Sequence, residues 1–334
     1  MRKSRRPIVI ASRQSRLARA QAEAVGSALS RLHPTIEVHY KWILTEGDQQ
    51  VDRDLSSEGG KGLFVKAVEQ ALLREDADLA VHSLKDLPVR ATTGLVLAAV
   101  PARGDARDCL VARNDLTSID QLPHGAIVGT SSPRRAAQLK RLRPDLSIQP
   151  LRGNVETRLR KVLQERAYDA TLLSVAGLQR CGLSEHAGNV IDPSLVLPAA
   201  GQGALALQCR MDDHVTLTRC LPLNDTVTGE AVHAERQIVA GLEGDCHSPI
   251  AVYAEPLGSA ALEYVIRVRV LAPDDGACVE LVERSAAKRV RRLVKDMIAS
   301  LKTGGAPALL ARASAAAAQE GAHGPPSTAG MRFD

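Results

Sequence analysis

The stretch AIVGTSSPRRAAQLKRLR, residues 126–143, decides the fold. It reads as a short apolar strand (Ala126 to Thr130), a hydroxyl-rich turn, a proline at the first helical position and a helix from Arg134 to Arg143. The same alternation recurs on both sides. Downstream, Ser147 to Leu151 is a strand, Val155 to Glu165 a helix and Asp169 to Ser174 a strand. Upstream, Ile8 to Ala11 reads as a strand, Ser15 to Leu32 as a helix and Ile36 to Leu44 as a strand. Leu63 to Arg74 has helical spacing, and Asp78 to His82 and Gly94 to Val100 read as strands. Strands alternating with helices predict α/β domains with parallel or mixed sheets.

Two breaks divide this pattern. Pro101-Ala102-Arg103-Gly104 is a hinge after which the alternation restarts, and Leu197 to Gly203 leads into the strand-like Ala204 to Cys209. A last region opens near Thr226 with an Ala-rich helix. It continues through strands at Ile250 to Ala254, Glu263 to Leu271 and Val279 to Arg284, then a helix at Ala286 to Leu301. Glu46 to Gly62 is polar and Gly-rich and reads as a mobile loop that includes Lys61. From Ala315 the tail is Ala, Gly, Ser and Pro with little to bury and reads as disordered.

The 334 residues suit two or three domains, and 45% hydrophobic with 24% charged residues excludes global disorder. No apolar run approaches the ~18 residues of a membrane span. The basic start is followed only by Ile8 to Ala11, too short for a secretory signal, so a cytoplasmic protein is expected. Six scattered cysteines without a C-x-x-C pair give neither a disulfide framework nor a zinc site, and no metal is expected.

The net charge of +5 is local. Residues 131–166 hold ten basic and three acidic side chains, a net +7, which leaves −2 for the rest. Arginine dominates, and its planar fork suits carboxylate or phosphate. The plainer reading, solvated helix faces, accounts for about half of these positions. A nucleic-acid groove would usually bring aromatic platforms, and only Tyr168 lies beside the window.

Four segments carry chemistry. In Gly129-Thr130-Ser131-Ser132-Pro133-Arg134-Arg135 the free N–H groups of a helix start, the hydroxyls and two guanidiniums make an anion site. Two arginines in a first turn oppose the helix dipole, which favours binding over a plain cap. Leu151 to Arg158 repeats the logic with Arg152 at a strand end and Arg158 in the next helix, and Arg180 follows a third strand. Ser83-Leu84-Lys85-Asp86 sets a Lys-Asp pair just past an apolar strand, suited to acid–base work yet equally common in surface turns. Leu242 to Pro249 places Cys246 in a Gly-rich turn, where the residues alone favour a structural cysteine over a covalent one. Gly59-Gly60-Lys61-Gly62 lacks the spacing of a P-loop, and Gly201 to Ala206 lacks the preceding strand of a dinucleotide site.

In order along the chain, Ala11-Ser12-Arg13-Gln14-Ser15, Gly59 to Phe64, His82 to Pro88, Gly129 to Arg135, Leu151 to Arg158, Ala176-Gly177-Leu178, Leu197 to Gly203 and Leu242 to Cys246 resemble the hydroxymethylbilane synthase (porphobilinogen deaminase) family over residues 7–313. The resemblance implies three α/β domains, the first two like a type II periplasmic binding protein with a cleft between them. The expected boundaries are 7–101 with 204–221, then 105–198, then 226–313 as a smaller α/β domain carrying the cofactor cysteine. It also implies a transferase that condenses four porphobilinogens head to tail, with loss of ammonia, onto a dipyrromethane cofactor. Hydrolysis then releases 1-hydroxymethylbilane.

By that resemblance Cys246 holds the cofactor through a thioether, and Asp86 is the catalytic carboxylate. Ser83, Lys85, Thr130, Ser131, Ser132, Arg134 and Arg135 would bind the cofactor. Arg13, Ser15, Gln21, Arg152, Arg158 and Arg180 would bind substrate and growing chain, with Lys61 in a loop over the cleft. The family implies a monomer that takes the small molecule porphobilinogen and needs neither nucleic acid nor membrane. Arg16 stands where the family usually has proline, and Asp245 where it commonly has glycine. The competing readings are a non-catalytic anion-binding protein on the same two lobes, which has no use for a third domain with Cys246, and a polyanion binder.

Overall fold

The computed structural model describes residues 6–44, 60–114, 116–245, 248–258 and 262–322. The chain opens with β1 (Ile8–Arg13), α1 (Arg16–Leu32) and β2 (Val38–Ile43), then α2 (Gly60–Leu73), β3 (Leu79–Ser83) and β4 (Leu95–Ala99). It crosses to β5 (Asp108–Ala112), β6 (Ile127–Gly129), α3 (Pro133–Leu142), β7 (Ser147–Gln149), α4 (Val155–Leu163), β8 (Ala170–Ser174) and α5 (Val175–Arg180). It then returns through β9 (Leu205–Arg210) and α6 (His214–Cys220).

The first sheet has the order β2-β1-β3-β9-β4 and the second β7-β6-β8-β5. The two share one plan. Each has three parallel strands, ordered second-first-third, and an antiparallel neighbour beside the third. In both, that neighbour (β9, β5) is the first strand after the chain crosses over from the other sheet. The expected pair of α/β lobes joined by two crossovers is present. No helix of the described residues is long and apolar enough to cross a membrane.

Local chemistry explains the elements that position the site. Ser15 caps α1 by accepting from Ala18 N–H, and the helix buries Gln21, Ala22, Val25, Gly26 and Leu29 at helical spacing. Central β3 and β9 are buried nearly end to end, as strands covered on both faces must be. Their leucines, Leu79 and Leu207, are fully buried, each stabilising by about 1.5–3 kcal/mol.

The crossovers touch each other: Gly104 N–H donates to Gly203 O at 3.1 Å and Arg103 Nε to Gln202 O at 2.8 Å. Gly203 has φ +84°, and a Cβ there would lie 2.6 Å from Gly104 O, so only glycine fits.

The third sheet is an antiparallel meander of β10 (Ile250–Leu257), β11 (Glu263–Leu271) and β12 (Cys278–Ala286). The helices α7 (Thr226–Gly241), α8 (Val290–Thr303) and α9 (Ala306–Ala322) pack against it, sharing a core with Ile238, Tyr264, Val268 and Met297. It is tied to both crossovers through one buried carboxylate. Glu235 on α7 pairs with Arg103 at 2.7 and 3.1 Å and accepts from Gly201 N–H at 2.6 Å and Ala254 N–H at 2.9 Å.

Two expectations need correcting. Helix α2 begins at Gly60, so Lys61 lies in its first turn and not in a loop; the rest of the Glu46 to Gly62 stretch, through residue 59, is outside the described residues. The glycines concealed the first turn of a helix whose later part, from Leu63 on, was legible. The tail is helical through Ala322, because alanine is the best helix former and α9 anchors Ala306 and Leu309 in the third core. Residues 323–334 lie outside the described residues. The short β5, α5 and α6 carried too little periodicity to read. Of the cysteines, Cys109, Cys181, Cys209 and Cys220 are buried as expected and Cys278 partly so.

Candidate active site

As β3 leaves the sheet the chain makes one 3-10 turn, Leu84–Asp86, which presents Lys85 and Asp86 at the strand's C-terminal end. Leu84 is fully buried and Leu87 nearly so, which fixes the turn from below while Lys85 and Asp86 remain half-buried. Burial, chiefly, and the nearby Arg135 cation push the Lys85 ammonium down to about 8, against the pull of Asp86 and Asp108. Beneath the turn, His82 Nε2 pairs with Gln208 Oε1 at 3.1 Å, and Gln208 donates to Glu69 at 2.8 Å. Burial holds the His82 imidazole below its ordinary value in spite of Glu69, Gln208 and Asp86.

Opposite lies the β6–α3 junction. Ser132 is the N-cap residue and Pro133 the first helical residue, as the sequence predicted, but no hydroxyl makes the capping bond. Thr130 Oγ1 instead accepts from Ser132 N–H at 3.2 Å. Arg134 and Arg135 are buried and share one carboxylate: Arg134 Nη2 meets Asp108 Oδ2 at 2.7 Å and Arg135 Nη2 meets Oδ1 at 2.6 Å. Burial alone would raise the Asp108 carboxyl, yet the two guanidiniums hold it well below the usual carboxylate range. Gln202, also buried, donates to Asp108 at 2.9 Å and accepts from Lys85 Nζ at 3.3 Å. A polar chain thus runs from Lys85 on the first lobe, through Gln202 on the crossover, to Asp108 and both arginines on the second. Arg135 Nε is buried with no hydrogen-bond partner among the described residues, an open donor in a cationic site.

A small crevice lies between the lobes, lined by Gln21, Ser83, Lys85, Asp86, Arg180 and Gly203 among others. Gln21 exchanges hydrogen bonds with Ser83 Oγ at 2.9 and 3.3 Å, and Arg180 Nη2 donates to Gly203 O at 2.6 Å. Arg158 donates to Gly153 O at 2.9 Å. Its guanidinium is lowered to about 10 by burial and by Arg135, with Asp86 opposing, so all three charges belong to one cluster.

Among the predicted residues Ser15 is engaged as the α1 cap, and Ser131 is exposed. Arg13 closes β1 and Arg152 lies three residues past the end of β7, both half-buried. Lys61's side chain, Cys246 and His247 lie outside the described residues. The flanking Asp245 and Ser248 bond each other: Ser248 Oγ donates to Asp245 Oδ1 at 3.0 Å and accepts from Asp245 N–H at 3.0 Å. The other unusual residue, Arg16, faces Glu156 of the second lobe at 3.6 Å.

Within the +7 window, Arg134, Arg135 and Arg158 turn inward, whereas Arg143 braces Asp145 and the carbonyls of Ile119, Asp120, Leu122 and Pro123, and Arg160 pairs with Glu165. Sequence reading missed Asp108 and Gln202. The available signals were a charge opening the apolar run Asp108 to Ala112 and a polar residue between two glycines.

The family model for porphobilinogen deaminase, dipyromethane cofactor binding domain, matches residues 8–218. The porphobilinogen deaminase of Sorangium cellulosum (strain So ce56) is 43% identical over 302 residues, covering 89% of this chain and 99% of that protein. That of Ralstonia nicotianae is 49% identical over 267 residues, 80% of this chain and 79% of its own. That of Paraburkholderia phytofirmans is 44% identical over 324 residues, 94% and 93%. Among solved structures, the unliganded L-cystine solute receptor of Neisseria gonorrhoeae superposes with TM-score 0.39 at 12% identity, over 73% of this chain and 95% of the receptor.

Proposed function

The chain belongs to the porphobilinogen deaminase family, and from that premise we propose which of its residues perform the hydroxymethylbilane synthase reaction. The enzyme is a transferase that condenses four porphobilinogens head to tail onto a dipyrromethane cofactor, releases ammonia at each addition, and frees 1-hydroxymethylbilane by hydrolysis.

The residues present fit that cofactor. Each pyrrole brings an acetate and a propionate, and the cleft offers Lys85, Arg134, Arg135 and Arg158 with an open Arg135 Nε donor. Arg134, Arg135 and Lys85, with Ser83, Thr130, Ser131 and Ser132, hold the cofactor carboxylates by charge-assisted hydrogen bonds. When bound, the dipyrromethane supplies the free pyrrole carbon on which the chain is extended. Cys246 anchors it through a thioether.

Arg13, Ser15, Gln21, Arg152, Arg158 and Arg180 orient the incoming porphobilinogen. Asp86 assists departure of ammonia from the substrate aminomethyl group, stabilises the positive charge left on the substrate and accepts the proton lost as each new bond is completed. Asp86 lines the crevice between the lobes beside Lys85 and Arg180, and this is the observation that carries the assignment.

The chain divides into domains 7–101 with 204–221, 105–198 and 226–313, the last carrying the cofactor cysteine. The protein acts in the cytoplasm as a monomer, on a small substrate and without nucleic acid. Intact mass spectrometry tests the anchor: the wild type carries an adduct of two pyrrole units and Cys246→Ala does not. An unmodified, folded wild type overturns it. Asp86→Ala abolishes tetrapyrrole formation and leaves the fold intact; substantial residual turnover would mean that another group is the acid.

A further inference from the structure

We propose that Arg236, on α7 of the third domain, is a positioning residue that holds the Lys85–Asp86 turn in register with the helix leading to the cofactor cysteine. The turn leaves the first sheet at Ser83 and closes through Leu87 N–H on Leu84 O at 3.1 Å; Pro88 carries no N–H, and the carbonyls of Leu87, Pro88 and Val89 beyond the turn are met by a donor from outside it. Arg236 is that donor. Its Nη1 reaches Leu87 O at 2.8 Å and, at longer range, Leu84 O at 3.5 Å; its Nη2 reaches Pro88 O at 2.6 Å and Val89 O at 3.4 Å. These four carbonyls flank Lys85 and Asp86 on both sides.

The same helix face supplies an apolar seat. Val232, one turn earlier, packs in one cluster with Leu84 and Leu87, and Val89 packs against the third core. Among the described residues, the half-buried Arg236 side chain has these backbone carbonyls as its hydrogen-bond partners. A cation withdrawn from water without an anion costs stability, and an apolar side chain would fill the place at less cost. What the guanidinium adds is direction, because a planar fork fixes carbonyls in two places at once.

Arg236 stands five residues before Gly241, the last of α7, so about 7.5 Å of rigid helix separates the clamp from the segment leading to Cys246. The acid and the cofactor anchor are therefore referred to one helix. A displacement of about 1 Å at a reacting group can cost on the order of 100-fold in rate.

The inference rests on the assignment of Asp86 as the acid, so Asp86→Asn is measured in parallel. In the holoenzyme, Arg236→Met should keep the two-pyrrole adduct and a KM close to wild type. Its kcat should fall about 10- to 100-fold and the pH profile of kcat should shift. Arg236→Lys, which retains the cation but not the fork, should recover part of kcat; it also serves if the methionine variant does not fold. Unchanged kcat, or a loss that follows lowered thermal stability with the pH profile unmoved, overturns the proposal. Full turnover in Asp86→Asn overturns the acid assignment instead, whatever Arg236 does.

Discussion

Asp108 and Arg134 form an ion pair at 2.7 Å in which the carboxylate is wholly buried and the guanidinium is 5% exposed. Arg135 completes the node from the same helix turn, so one carboxylate aligns two cations at the second lobe's edge of the cleft. One negative charge against two positive ones leaves the node cationic, ready for a ligand carboxylate. It also keeps two like charges in adjacent positions of a helix start.

Removing that carboxylate should therefore damage both fold and site. Asp108→Asn leaves buried guanidiniums uncompensated, a loss of about 3–5 kcal/mol where a buried pair is broken from one side. Urea denaturation should show the lower midpoint, and intact mass a smaller loaded fraction. An unchanged midpoint would show that the pair contributes nothing.

Lys85 should titrate near pH 8 in protein freed of cofactor, against about 10.4 for an ordinary lysine. Its charged form is the one penalised by burial. The unfolded chain holds this proton from pH 8 to about 10.4 when the native state does not, so this group makes stability rise with pH across that interval. Acylation of Lys85 followed by peptide mapping from pH 6 to 10 reads the midpoint, and loading the cofactor should protect the amine. A midpoint above 10 would contradict the burial argument.

His82 gives a slope of the same sign at lower pH. Its native value is depressed, so the unfolded state takes up the proton first, and stability falls as pH drops below about 6.5, by at most about 1.4 kcal/mol per pH unit. Comparing denaturation at pH 7.5 and 5.5 in wild type and His82→Gln isolates the effect. The variant should lose less between the two conditions, and an equal loss would assign it to other groups.

The contact between the crossovers should tolerate no side chain at 203. Gly203→Ala places a methyl 2.6 Å from Gly104 O at φ +84°, and left-handed backbone alone costs an alanine about 1–2 kcal/mol. Lower thermal stability and a raised KM are expected, because Gly203 O also holds Arg180. A thermal midpoint equal to wild type would mean that the crossovers separate without cost.

Sequence alone determined the parts whose physics is local. The alternation around residues 126–143 gave the α/β class, because strand and helix periodicities are properties of neighbouring residues. The Ser132-Pro133 start of α3 was legible for the same reason, and the ordered motifs identified the family. Only the tertiary structure decided which arginines face inward, since Arg134 and Arg160 look alike in sequence and differ in what surrounds them. It alone brought Asp108, Gln202 and Lys85 together from three separate segments, and set Arg236 beneath a turn about 150 positions earlier in the chain. Burial and Coulomb energy depend on distance in space, and a charge that reads as a surface residue in sequence becomes a structural pivot once two crossovers and a third sheet close around it.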